Sequence, residues 1–201
     1  VMLLYRLGHT YMLRTSIAMR TSQFAQLPAP TGRVVFLGDS ITEGGLWQEW
    51  FPGVDCVNRG IGGDTIDNLL ARLDTAIDTP AAVFLLIGTN DLGLGRSVDR
   101  VAADMRCLVR EVRDRAGTAP LFVQSVMPRQ RRFAARIREL NGAYREIAAR
   151  AEAVYIDLWP ALADENDCLR SEFTRDRLHL GGAGYAAWVE ALGPYVRTLT
   201  S

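Results

Sequence analysis

From Arg33 onward, short and continuously apolar runs alternate with longer stretches in which apolar residues recur every three or four positions. The runs at 34–37, 54–57, 83–87, 121–123 and 154–156 are too short for helices and, Asp55 apart, are apolar throughout, so they predict five strands covered on both faces. Between them Ile66, Leu69, Leu70, Leu73 and Ile77 share one helical face, as do Val98, Val101, Met105, Leu108 and Val112, and then Phe133, Ile137, Leu140, Tyr144 and Ile147. A last helix carries Tyr185, Trp188, Leu192, Tyr195 and Leu199 after Gly181-Gly182. Alternating strands and helices predict an α/β fold with a five-stranded parallel sheet and helical crossovers. Ahead of this block, residues 1–27 read as one helix with Leu3, Leu4, Leu7 and Tyr11 on one side, stopped by Pro28-Ala29-Pro30. That divides the chain into an N-terminal helical extension, 1–30, and a main domain, 31–201. The extension reads as a helix packed on the domain, with a homodimer contact or membrane-surface docking as other uses for it.

Composition adds limits. A chain of 201 residues, 48% of them hydrophobic, can bury one sizeable core and is short for two. Basic and acidic residues both number 23, so there is no positive excess to draw nucleic acid or anionic lipid, and a neutral or weakly polar small molecule is the expected partner. Cys56, Cys107 and Cys168 are odd in number and widely separated, which predicts free thiols rather than a disulfide framework or a zinc site. Arg6, His9 and Arg14 interrupt the apolar N-terminus, and no run approaches the ~18 uncharged residues of a membrane span. A soluble, cytoplasmic protein without stable membrane insertion is expected.

In an open parallel sheet, chemistry sits beyond the carboxyl ends of the strands. Polar residues and glycines gather there: Gly38-Asp39-Ser40 after the first strand, Asn58 to Asp64 after the second, Gly88-Thr89-Asn90-Asp91 after the third, and Asp157 after the fifth. The loop before the last helix adds Asp176 and His179, spaced so that Asp176 can meet one ring nitrogen and Ser40 the other. The other histidine, His9, precedes the first strand. Ser40 at a strand-to-helix transition could expose a nucleophilic Oγ or merely cap the helix through Thr42. Gly62-Gly63 could let the backbone approach a ligand or form only a tight turn, with Asp64 capping the helix of Ile66 and Leu69. The Asn90 amide suits an oxyanion donor or an Asx-turn. Trp47, Trp50 and Phe51 flank a site entrance or form the core face of a helix. Arg59 meets an anionic substrate group or makes a structural ion pair.

Four stretches in this order resemble the motif blocks of the GDSL, or SGNH, serine hydrolases: Phe36-Leu37-Gly38-Asp39-Ser40-Ile41-Thr42-Glu43-Gly44, Asn58-Arg59-Gly60-Ile61-Gly62-Gly63-Asp64-Thr65, Ile87-Gly88-Thr89-Asn90-Asp91 and Asp176-Arg177-Leu178-His179-Leu180. The resemblance runs from about Arg33 to Leu199. It implies a three-layer α/β/α, flavodoxin-like domain with Ser40 as nucleophile, His179 as base and acid, and Asp176 as its orienting partner. It further implies an oxyanion hole from Ser40 N–H, Gly63 N–H and the Asn90 side chain, with no cofactor and no metal. Arg177 departs from the glycine that relatives often carry between the aspartate and the histidine. The second block is most similar to the branch containing platelet-activating factor acetylhydrolase catalytic subunits and bacterial acetyl esterases, which implies hydrolysis of short acyl esters. Other readings are a lysophospholipase or thioesterase acting on longer chains, a phosphoesterase holding a divalent ion on Asp39, Asp64, Asp91, Asp176 and His179, or a non-catalytic phosphate-binding module.

Overall fold

The computed structural model describes residues 15–199. Within them β1 (Val34–Gly38), β2 (Cys56–Gly60), β3 (Ala82–Leu86), β4 (Leu121–Gln124) and β5 (Val154–Ile156) form one sheet in the order β2-β1-β3-β4-β5. Every pairing is parallel. The chain steps outward from β1 to β2, then crosses back to β3 and runs on to β5. The carboxyl ends of β1 and β3 therefore flank the point where the winding reverses, the place at which such sheets open a crevice.

Side chains alternate across the strands and give each face its own core. On one side Val35, Leu37, Val83, Leu85 and Val123 pack against α4 (Ile66–Leu70), α5 (Leu73–Ala76), α7 (Val98–Ala116) and α8 (Ala134–Arg150). On the other, Val34, Phe36, Phe84, Leu86 and Phe122 meet α3 (Trp47–Trp50), α9 (Trp159–Leu162) and α10 (Gly182–Arg197). The result is the three-layer α/β/α arrangement that the alternating pattern predicts. Trp47 and Phe51 belong to this second core: Trp47 stacks on Phe36 at 4.0 Å and meets Trp188 edge-on at 4.7 Å. Trp50, by contrast, is exposed. Two further short helices, α2 (Ser40–Glu43) and α6 (Thr89–Gly93), begin directly after β1 and β3.

Several boundaries differ from expectation for identifiable reasons. β2 runs through Asn58 and Arg59 to Gly60 rather than ending at Val57, while Val54 closes a turn onto Phe51 O. Asn58 tolerates a strand position because its amide nitrogen reaches the carbonyls of Thr42, Glu43 and Gly45 at 2.9–3.0 Å and its Oδ1 accepts from Gly60 N–H. The expected single helix from Ile66 to Ile77 breaks at Ala71-Arg72. There the buried Arg72 guanidinium is drawn to Asp64 Oδ2, Gly38 O and Arg59 O. Asp64 is consequently not the cap of α4; Thr65 is, in a reciprocal capping box with Asn68. Phe133 ends a 3-10 turn, Arg131–Phe133, and is the N-cap of α8, and Leu199 follows α10. Of the 1–27 helix, helical backbone is described for 15–26, here α1, while Leu3, Leu4, Leu7, His9 and Tyr11 lie outside the described residues.

Candidate active site

β1 delivers the chain to the crevice at Gly38, where a Cβ would run into the Leu86 carbonyl and the Thr42 side chain. Asp39 caps α2, its Oδ1 accepting from Ile41 N–H at 3.0 Å. The Ser40 hydroxyl is thereby spared capping duty and lies 3.0 Å from His179 Nε2. The imidazole's other nitrogen, Nδ1, is 2.6 Å from Asp176 Oδ2. An ionised carboxylate can only accept, so Nδ1 carries the proton and the Nε2 lone pair faces Ser40.

The Asp176–His179 loop is fixed largely by its own hydrogen bonds. Asp176 Oδ1 accepts from the N–H groups of Leu178 and His179 at 2.9 and 2.8 Å and from the Thr174 hydroxyl at 3.2 Å. Gln130 Nε2 donates to Asp176 O from the neighbouring loop. Partial burial pushes the Asp176 carboxyl up, but the His179 ring and these backbone N–H groups outweigh it and bring its pKa down to about 2. Arg177 adopts φ 61°, a left-handed conformation that glycine takes without cost, and its guanidinium donates to Leu169 O. The departure from glycine thus leaves the loop's turn intact.

Gly63 also has a left-handed φ, 78°. Its neighbours are engaged, Gly62 N–H by Glu43 Oε2 at 2.7 Å and Asp64 N–H by Ile61 O at 3.2 Å. Among the described residues none accepts from Gly63 N–H. Asn90, on the first turn of α6, gives one amide hydrogen to Asp64 O at 2.9 Å and keeps the other. Ser40 N–H opens α2, where no carbonyl one turn back is available to it. A cavity of about 320 Å³ is lined by Ser40, Gly63, Asn90 and His179 together with Ile17 and Leu178. The arrangement offers a hydroxyl, a base next to it, and N–H donors across a small pocket, the set that acyl transfer needs.

Other expected residues lie elsewhere. Asp157 is held by Trp159 N–H and Arg145 and lines a separate depression, so the fifth strand contributes nothing to the crevice. Arg59 is buried with its guanidinium 4.6 Å over the Phe24 ring, and among the described residues it makes no ion pair. Asp64 is paired with Arg72 at 2.7 Å, Asp91 with Arg96 at 2.8 Å, and Asp39 is buried under α2. Among the described residues no three carboxylates, imidazoles or thiols gather as ligands for an ion. Asn58, Glu43, Arg72 and Ile17 act on the site without having been singled out as site residues; only Asn58, a carboxamide beside a buried apolar run, carried a readable signal.

A sequence model of the family described as GDSL-like lipase/acylhydrolase matches residues 36–187. Platelet-activating factor acetylhydrolase IB subunit alpha1 of Pongo abelii is 29% identical over 171 residues, covering 79% of this chain and 73% of the relative. The Homo sapiens subunit is 28% identical over 170 residues, with the same coverage of each. A solved structure from Streptococcus pneumonia, named for platelet activating factor, matches with a TM-score of 0.81 at 28% identity over 97% of this chain and 99% of its own. A GDSL-like lipase from Bacteroides thetaiotaomicron shares the fold, with a TM-score of 0.72 at 22% identity over 90% and 97% of the two chains.

Proposed function

The chain belongs to the GDSL-like lipase/acylhydrolase family of carboxylic ester hydrolases, and on that premise we propose that it cleaves short, acetyl-like acyl esters with Ser40 as nucleophile, His179 as general base and acid, and Asp176 as its orienting carboxylate. The observation that carries this reading is the unbroken chain of contacts from Ser40 Oγ to His179 Nε2 at 3.0 Å and from His179 Nδ1 to Asp176 Oδ2 at 2.6 Å. His179 takes the hydroxyl proton as Ser40 attacks the ester carbonyl. The oxygen that becomes negative is held by Ser40 N–H, Gly63 N–H and Asn90 Nδ2. Imidazolium then protonates the departing alcohol. Water, deprotonated by the same ring, attacks the acyl-serine and releases the acid. Every proton in this scheme moves through His179, and Asp176 stabilises the ring while it is charged.

Short acyl groups are favoured by a cavity of only about 320 Å³ and by the likeness to proteins named as acetylhydrolases. A p-nitrophenyl ester series from acetate to decanoate tests both parts. We expect an optimum at acetate or butyrate, with turnover lowered about 10^4- to 10^6-fold in Ser40→Ala and about 10^2- to 10^3-fold in Asn90→Ala. A fluorophosphonate should add its mass at Ser40, and excess EDTA should leave activity in place. An optimum at long chains would remove the short-acyl assignment, and full turnover in Ser40→Ala would remove the nucleophile.

A further inference from the structure

α1 stands outside the sheet, yet one of its faces is built into the Ser40 cavity. Ile17, Arg20 and Phe24, at i, i+3 and i+7, share one side of a helix. Phe24 is buried beneath the Arg59 guanidinium. Arg20 Nε donates to Gly60 O at 3.0 Å and pairs with Glu43 Oε1 at 2.9 Å, and Glu43 in turn holds Gly62 N–H. Those anchors set Ile17 down on the Gly62-Gly63 turn, its Cδ1 3.3 Å from where a Cβ on Gly63 would stand. Of the side chains lining the cavity, Ile17 and Leu178 are the two large apolar ones.

Their positions are not equivalent with respect to the reaction. A tetrahedral carbon on Ser40 directs its leaving oxygen to His179 Nε2, which must protonate it, and its oxyanion to the donors at Gly63 and Asn90. Leu178 precedes His179 on the same loop and therefore flanks the leaving alcohol. The acyl substituent takes the remaining direction, away from His179, along the wall where α1 meets Gly63.

We propose that Ile17 is a specificity-determining residue that closes the acyl side of the cavity and limits the length of the acyl group accepted. This rests on the esterase reading above. A second depression of about 390 Å³, lined by Met19, Arg20 and Gln23, adjoins the Ser40 cavity, with Ser16 and Glu43 lining both. A chain longer than the cavity can hold would have to displace Ile17 to proceed.

The test compares kcat/KM for hexanoate and acetate esters in full-length Ile17→Ala and Ile17→Trp, since a pocket methylene is worth about tenfold or more in discrimination. The hexanoate-to-acetate ratio should rise about tenfold in Ile17→Ala and fall about tenfold in Ile17→Trp. A ratio unchanged within about twofold in both variants, or moving the same way in both, would overturn the proposal. Ser40 dependence and phosphonate labelling of the wild type are read separately, so failure of the esterase reading is distinguishable from failure of the Ile17 assignment.

Discussion

Two carboxylates serve the Ser40 and His179 loops, and their surroundings push them in opposite directions. Asp39 is fully buried with one oxygen, Oδ2, lacking a partner among the described residues, and burial raises its pKa from 3.8 to about 7 despite the Ile41 N–H bond. Asp176 moves the other way, to about 2, because the bonds to the charged form dominate. The signs follow by linkage. Asp176 has a depressed pKa, so it contributes stability above 3.8 that is lost as pH falls through about 2, and the acceptor for His179 Nδ1–H persists at any working pH. Asp39 has a raised pKa, so between about 4 and 7 the folded state binds more protons than the unfolded one, and its contribution to stability falls as pH rises. Asp39→Asn keeps a good helix cap while removing the charge. We expect the variant to match the wild type near pH 4 and to exceed it at pH 8 by a gap on the order of a few kcal/mol, measured by urea denaturation at each pH. The same difference at both pH values would refute the account of Asp39.

Between elements, the site is held by contacts that tie one strand's exit to the next. Asn58 of β2 binds the carbonyls behind α2, Arg72 between α4 and α5 binds Gly38 O and Arg59 O, and Glu43 of α2 binds Gly62 N–H. Glu43 should act as a positioning residue. Glu43→Gln can still accept from Gly62, whereas Glu43→Ala cannot, so we expect kcat to fall about tenfold in the alanine variant, a fraction of what a direct oxyanion donor is worth, and to recover in the glutamine variant with KM little changed. Equal losses in both would mean that the charge pair with Arg20, not the Gly62 bond, is what matters. These ties also mark where the sequence stopped being readable. Buried runs such as 83–87 announce strands to within one residue, since both faces are covered and every position must be apolar. The apolar pattern ends β2 at Val57 because Asn58 and Arg59 are polar strand residues, Asn58 satisfied by the Thr42, Glu43 and Gly45 carbonyls and Arg59 lying over the Phe24 ring, and it hides the α4–α5 break because Arg72 leaves the helical path for acceptors contributed by β1 and β2. That Ser40, His179 and Asp176 meet is legible because Ser40 follows the first strand run and because Asp176 and His179 share one short loop before the last helix. Ile17 was not, because nothing in a helical stretch says which loop it will cover.

At the scale of the molecule, the reversal of strand order beside β1 gathers the loops of β1, β2 and β3 at one end of the sheet, and the loop before α10 brings His179 to it. Both hydrophobic clusters that cover the sheet are drawn from residues beyond position 31. α1 adds Phe24, which is 6% exposed, and the Arg20 contacts, but no residue of those clusters. We therefore propose that 31–201 is the folding unit and that the 1–30 extension docks on it through α1. A chain beginning at Thr31 should still unfold in one cooperative step. Losing a buried phenylalanine of about 1.5–3 kcal/mol should lower Tm by about 5 to 10 °C in a domain of this size, as followed by circular dichroism. Loss of the cooperative transition would instead make α1 part of the core. If the transition survives, hexanoate should gain on acetate in the shortened chain, as in Ile17→Ala, because the same wall is missing from a sheet that has kept its shape.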